Sequence, residues 1–164
     1  MHQHGADSGL TTRQDLDRRL DQHRGLILGS LDGLAEDPAR AVPVPGKPSL
    51  LGIVRHTAYV EGVWFGEAVT GRPRAELGLP VATANSWKTR RTDTIASVTQ
   101  LCQRIHEHSR SNLAGLGLDD MVTGRGRRTV RSLYTHVLIE LAWNTGQLDI
   151  LRPLADAAQR PAES

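Results

Sequence analysis

Apolar positions recur with helical spacing in four separate stretches of the chain. Leu16, Leu20, Ile27, Leu28 and Leu31 form a loosely spaced stripe that predicts a first helix from about Arg13 to Leu34. Thr11 or Thr12 is its N-cap, and Asp15 and Asp17 favour the helix dipole. Ser49 followed by Leu50, Leu51, Ile53 and Val54 opens a second helix, which runs to about Thr70 and stops at Gly71 and Pro73. Ile95, Val98, Leu101, Cys102, Ile105 and Leu113 mark a third, from about Thr92 to Gly115. A fourth runs from about Thr129 to Leu154. Pro38, Pro43, Pro45 and Pro48 make residues 35–48 an extended connector, since proline removes a backbone donor. Residues 72–92 are a long polar connection, and 115–128 a glycine-rich loop without the Gly-Lys-Ser/Thr of a phosphate cradle. No stretch alternates as a strand does. The pattern predicts an all-α four-helix bundle over residues 11–154 with a long middle connection, a disordered leader at 1–10 and a flexible tail at 155–164.

The fourth helix carries the chemistry. His136, Glu140, Asn144 and Gln147 follow at intervals of four, four and three, which stacks them along a helix otherwise rich in Leu, Ile, Val and Trp. Polar side chains on a buried helix need partners, a metal, water or a ligand. His56 on the second helix is the candidate partner. Imidazole nitrogen and carboxylate oxygen suit zinc-like or nickel-like ions, and bundles build such sites from facing helices. His56 and Glu140 are the best pair, with Asn144 one turn on or His136 one turn back as a third residue. A hydrogen-bonded core network would use the same residues. Trp87 stands in the long connection, where an aromatic either closes over a site or anchors the loop.

Composition narrows the function. Twenty Lys+Arg face eighteen Asp+Glu, for a net charge of +2, and nearly all the cations are arginine. The basic clusters at 88–91 and 125–128 are short, and aromatics are 4% of the chain, so no nucleic-acid-binding stripe is present. No apolar run approaches the ~20 residues that span a bilayer. The N-terminus lacks a secretory pattern, which makes the cytoplasm the default compartment. The single cysteine, Cys102, reads as a buried apolar residue rather than a nucleophile. His106 and His108, two apart, point to different sides of a helix and read, with His23, as surface residues.

Residues 20–34, Ser49-Leu-Leu-Gly-Ile-Val-Arg-His56 with the following Val60-Glu-Gly-Val-Trp-Phe65, and His136 through Arg152 resemble the DinB-like superfamily, most closely its actinobacterial mini-circle protein branch. The resemblance spans about residues 15–154. It implies a DinB-type bundle, often dimeric, and a divalent metal held by a His on the second helix and a Glu and a His four apart on the fourth. In the related mycothiol-dependent maleylpyruvate isomerase such a metal serves a low-molecular-weight thiol. Carried across, the ligands fall on His56, Glu140 and position 144, where this chain has Asn; Gln147 also replaces a frequent His.

Three functional readings follow. The first is a thiol-dependent transferase or isomerase with a degraded His/Glu/Asn metal site at His56, Glu140 and Asn144. The second is a metal-independent tailoring enzyme in which His56 is the acid or base, Glu140 orients it, and Asn144 and Gln147 bind a carbonyl. The third is a non-catalytic small-molecule-binding stress protein. In all three the partner is a small molecule, contacted by Gln147, Trp87 and His136, and the chain is a possible homodimer.

Overall fold

The computed structural model describes residues 11–160; the leader and the last four residues of the tail lie outside it. The helices are α1 (Thr12–Gly29), α2 (Glu36–Arg40), α3 (Leu50–Glu61), α4 (Ala68–Thr70), α5 (Ile95–Leu113) and α6 (Val130–Gln159). A π-helical segment, Gly62–Glu67, joins α3 to α4, so the chain is helical without a break from residue 50 to 70. A two-stranded antiparallel ribbon, β1 (Met121–Val122) and β2 (Arg128–Thr129), closes the glycine-rich loop. The fold is all-α.

Most boundaries follow from capping. Thr11 and Gln14 form a reciprocal capping box at α1, and Thr94 and Ser97 do the same at α5. Ser49 and Thr129 cap α3 and α6 through their hydroxyls. Gly71, with φ of 73°, ends α4 in the left-handed region that glycine enters at no steric cost. Two differences from the sequence expectation have simple causes. The proline-rich connector contains the short helix α2, because Pro38 falls in its first turn, where the missing N–H has no partner to lose. Beyond Leu154, α6 continues through an internal Pro153 to Gln159. Its end is tied down: Arg152 donates to the carbonyls of Ser30 and Asp32, and Gln159 exchanges hydrogen bonds with Gly33 and Ala35.

α3 is the centre of the bundle. It packs against both α5 and α6, while α1 packs against α6. Every residue of α3 is buried, as its nearly continuous apolar run requires. Its polar side chains therefore bring their partners inside. Glu61, with no exposed surface, accepts hydrogen bonds from Nε and Nη2 of Arg24 on α1 at 2.9 and 2.7 Å. Arg55 donates to the carbonyls of Asn85, Ser86 and Lys88 and lies 3.4 Å from Asp93. These bonds draw the connection after α4 down onto α3. That connection has two 3-10 turns of its own, Arg74–Leu77 and Thr83–Asn85.

Glycine makes the approach possible. A Cβ on Gly52 would lie 2.4 Å from the Trp87 carbonyl oxygen and 3.2 Å from Ser49 Oγ. Overpacking of this kind costs about 1–3 kcal/mol. Gly52→Ala is therefore expected to lower stability by that amount in denaturant titration, while Gly25→Ala, where a Cβ meets open space, leaves it unchanged or raises it.

Candidate functional site

The α3 surface that receives the connection carries His56. Its ring lies nearly parallel to the Trp87 indole, with centroids 3.4 Å apart and planes 13° apart, and Tyr59 stacks beyond it at 5.9 Å. Ser86 Oγ lies 2.7 Å from His56 Nδ1, and its own proton goes to the Thr83 carbonyl. The serine oxygen is then left to accept, so His56 carries its proton on Nδ1. Nε2 keeps its lone pair, with no protein partner among the described residues. Tyr59 shares a hydrogen bond with the Thr83 hydroxyl, which fixes the same turn from the other side.

His56, Tyr59, Val60, Val63, Trp64, Thr83, Trp87, Arg125, His136 and Glu140 enclose a pocket of about 330 Å³. His136 lies against Trp64, centroid to centroid 4.4 Å. Arg125 and Arg128 bracket the same indole from the ribbon side. Arg125 and Arg74 both pair with Glu67 at 2.8 Å. Burial alone would raise the Glu67 carboxyl; the bonds from Arg125 and the Arg74 backbone outweigh it and hold the group below its ordinary range. The ribbon itself is pinned by Gly124, whose N–H donates to the Ala68 carbonyl at 3.0 Å and whose missing side chain leaves room for the Glu67 carbonyl.

The four-residue stripe of α6 divides in space. His136 and Glu140 line the pocket with His56. Asn144 does not; it is wholly buried, its amide nitrogen donates to the Glu140 carbonyl at 2.8 Å, and its Oδ1 has no partner among the described residues. The sequence expectation put Asn144 in the site, with His136 as its substitute or as a substrate contact; His136 lines the pocket and Asn144 does not. The cause is helical drift. At about 100° per residue, position 144 lies about 80° round the axis from 136, and so turns toward the core. Gln147 is only about 20° from Glu140 but two turns along, and with Trp87 and Trp143 it lines a separate, open cleft.

The remaining described histidines fall differently from the sequence expectation, and Cys102 falls where it was expected. His106 is buried, not superficial, and lies 3.6 Å from Glu61. His23 is half-buried and bonds to Thr145, and His108 bonds to Asn112. Cys102 is a core residue whose thiol faces the Val54 carbonyl; burial first, and the Glu61 charge second, push it up to about 12, which removes it as a nucleophile. Thr83, Trp64 and Arg125 line the pocket, and Ser86 orients His56, although no periodic signal marks them.

The family model for mycothiol S-transferases matches residues 15–157. The chain belongs to the mycothiol S-transferase family. This is a DinB-like family, in keeping with the all-α bundle. Among curated proteins, none matches the chain. Membership implies a thiol as one substrate and a small molecule as the other. No described helix is long and apolar enough to cross a membrane.

The DinB resemblance implies a divalent metal held by three residues, and the donors present do not supply three. His56 Nε2 and Glu140 have suitable chemistry. Position 144 offers only a neutral amide oxygen on a side chain turned back onto its own helix. His136 is held against Trp64, and among the described residues no three His, Cys, Asp or Glu side chains are grouped to share an ion. The site of this family member is therefore read through its own side chains.

Desolvation lowers His56 from 6.5 to about 4, so it is neutral at physiological pH. Burial also lowers His106, although the Glu61 charge opposes this. Between pH 6.5 and 4 the unfolded chain holds protons on these imidazoles that the folded chain lacks. Stability then falls as pH falls through that window, with His56 contributing on the order of 3 kcal/mol by pH 4. Denaturant midpoints are expected to drop across it, and His56→Asn to flatten part of the drop.

Proposed function

We propose that this family member joins mycothiol, through its sulfur, to a small electrophilic molecule in the pocket walled by His56, His136 and Glu140. The observation that carries the reading is the orientation of His56. Ser86 holds the Nδ1 proton, which leaves Nε2 as a fixed acceptor on a ring that cannot rotate between Trp87 and Tyr59. The thiol places its S–H at Nε2. As the sulfur attacks carbon, its proton moves to Nε2. The free protein disfavours a charged His56 for lack of solvation; the thiolate formed beside it supplies the missing counter-charge, and the Glu140 carboxylate in the same wall adds to it. A carbon–sulfur bond forms. The electrophile either loses a leaving group, which takes the proton from Nε2, or, where it is a conjugated carbonyl compound, accepts that proton on carbon.

This reading is metal-independent and follows the tailoring-enzyme alternative for the side chains while keeping the family's thiol. Position 144 then serves α6 rather than the reacting atoms. A cavity of about 330 Å³ lies at the small end of ligand sites, which suits the thiol end of a substrate rather than two whole molecules.

The test is thiol transfer by purified protein with mycothiol and a small neutral electrophile. His56→Ala is expected to lower the rate at least a hundredfold, the usual weight of a positioned acid–base group. Ser86→Ala, which frees the tautomer, is expected to lower it less, with the fold checked by circular dichroism. Exhaustive chelation is expected to leave the rate unchanged. A His56→Ala protein with the parent rate defeats the proposal. Activity lost to a chelator and restored by zinc or nickel replaces it with a metal-assisted reaction at His56 and Glu140.

A further inference from the structure

The second cavity has a chemistry of its own. It is an open cleft of about 820 Å³ between the 42–49 connector, the 84–89 turn and α6, and its walls include Lys47, Lys88, Trp87, Trp143, Gln147 and Pro48. The chain contains eighteen arginines but only two lysines, and both line this cleft. Neither lysine is in an ion pair among the described residues, whereas most of the arginines are. No carboxylate stands in the cleft wall. The cleft therefore presents unneutralised positive charge beside two indoles.

Trp87 is common to both cavities. One face of its ring is covered by His56, and the rest of its surface contributes to the cleft. Trp143 is 70% exposed although it is the largest side chain of its helix turn. Flat indole surface favours flat ligands through offset stacking and burial of apolar area. Ammonium groups favour anions. Gln147 adds a donor and an acceptor for orientation.

We propose that this cleft binds the second substrate of the transfer, and that this substrate is a planar aromatic or conjugated molecule bearing a carboxylate. The assignment deepens the transferase reading and rests on it for the word substrate. The thiol end occupies the His56 pocket; the anionic ring occupies the cleft; Trp87 stands between them. Charge complementarity decides among occupants. A second copy of the chain packing through Ile139 and Ile150 of α6 would lay largely apolar surface, with Asp149 the one exposed carboxylate between them, against two unpaired ammonium groups.

The test is a titration of the full-length protein with 2-naphthoate, followed by intrinsic tryptophan fluorescence and by calorimetry, in the absence of any thiol. 2-Naphthalenemethanol supplies the same rings without charge, and cyclohexanecarboxylate the charge without a planar ring. Naphthoate is expected to bind at least tenfold more tightly than either. Trp143→Ala and the double change Lys47→Gln/Lys88→Gln are each expected to weaken it at least tenfold. Lys47→Arg/Lys88→Arg is expected to restore most of the binding. Circular dichroism and the denaturant midpoint report whether each variant folds. Equal affinity for the acid and the alcohol, or binding indifferent to both sets of substitutions, overturns the proposal. So does sedimentation showing a dimer that Trp143→Ala dissociates, since the face would then be covered. Because no thiol is present, failure of the titration leaves the His56 chemistry standing, and loss of transfer in His56→Ala leaves the titration readable.

Discussion

Everything in this structure depends on α3 being buried on all sides while still carrying polar side chains. A buried polar group without a partner costs on the order of 1–3 kcal/mol, and a buried charge costs more. Arg55, His56, Tyr59 and Glu61 on α3 are each satisfied from outside the helix, and Thr57 by the Val54 carbonyl of the helix itself. Glu61 recruits α1 through Arg24. Arg55, His56 and Tyr59 recruit the connection between α4 and α5. The demand for hydrogen-bond partners inside the core is what brings Ser86 and Trp87 to His56, so the same constraint that holds the bundle together also shapes the pocket.

The α6 side of the site is set by helix geometry. A helix that contributes to two cavities cannot direct a stripe spaced four, four and three entirely into one of them. His136 and Glu140 serve the inner pocket, Gln147 the open cleft, and Asn144 the helix itself. Position 144 faces neither cavity, and the inner pocket presents the imidazoles of His56 and His136 and the side chain of Glu140. The aromatic rings around both imidazoles, Trp87 on His56 and Trp64 on His136, limit how either can turn.

Much of this was legible in the sequence because it rests on local rules. The caps Thr11, Ser49 and Thr129 lie where hydroxyls precede apolar runs, and Gly71 stops its helix as glycine does. That His56 and Glu140 line one pocket was readable because a lone His stands in the apolar α3 and a lone Glu in the apolar α6. What was not legible depends on contacts distant in sequence. Ser86 looks like any loop serine until Thr83 takes its proton and His56 donates to it. His106 reads as superficial among charged neighbours, yet packing against Glu61 buries it. The choice between His136 and Asn144 turned on some tens of degrees of helix rotation, which spacing in sequence does not specify. The π-helical segment at Gly62–Glu67 has no periodic signature; it places Trp64 in the pocket wall and Phe65 in the core.

The stretch from Thr83 to Asp93 has loop composition, yet its backbone carbonyls at 83, 85, 86 and 88 are all spoken for by side chains of Ser86 and Arg55, and its Trp87 carbonyl sits where Gly52 lacks a side chain. Tolerance of insertions follows the burial and bonding of the backbone rather than the absence of regular structure. Among homologous chains, length variation is therefore expected to collect in the glycine-rich turn near 115–117, while the spacing between Thr83 and Asp93 stays constant. The part of this protein that looks most like a spacer is the part whose length evolution is least free to change.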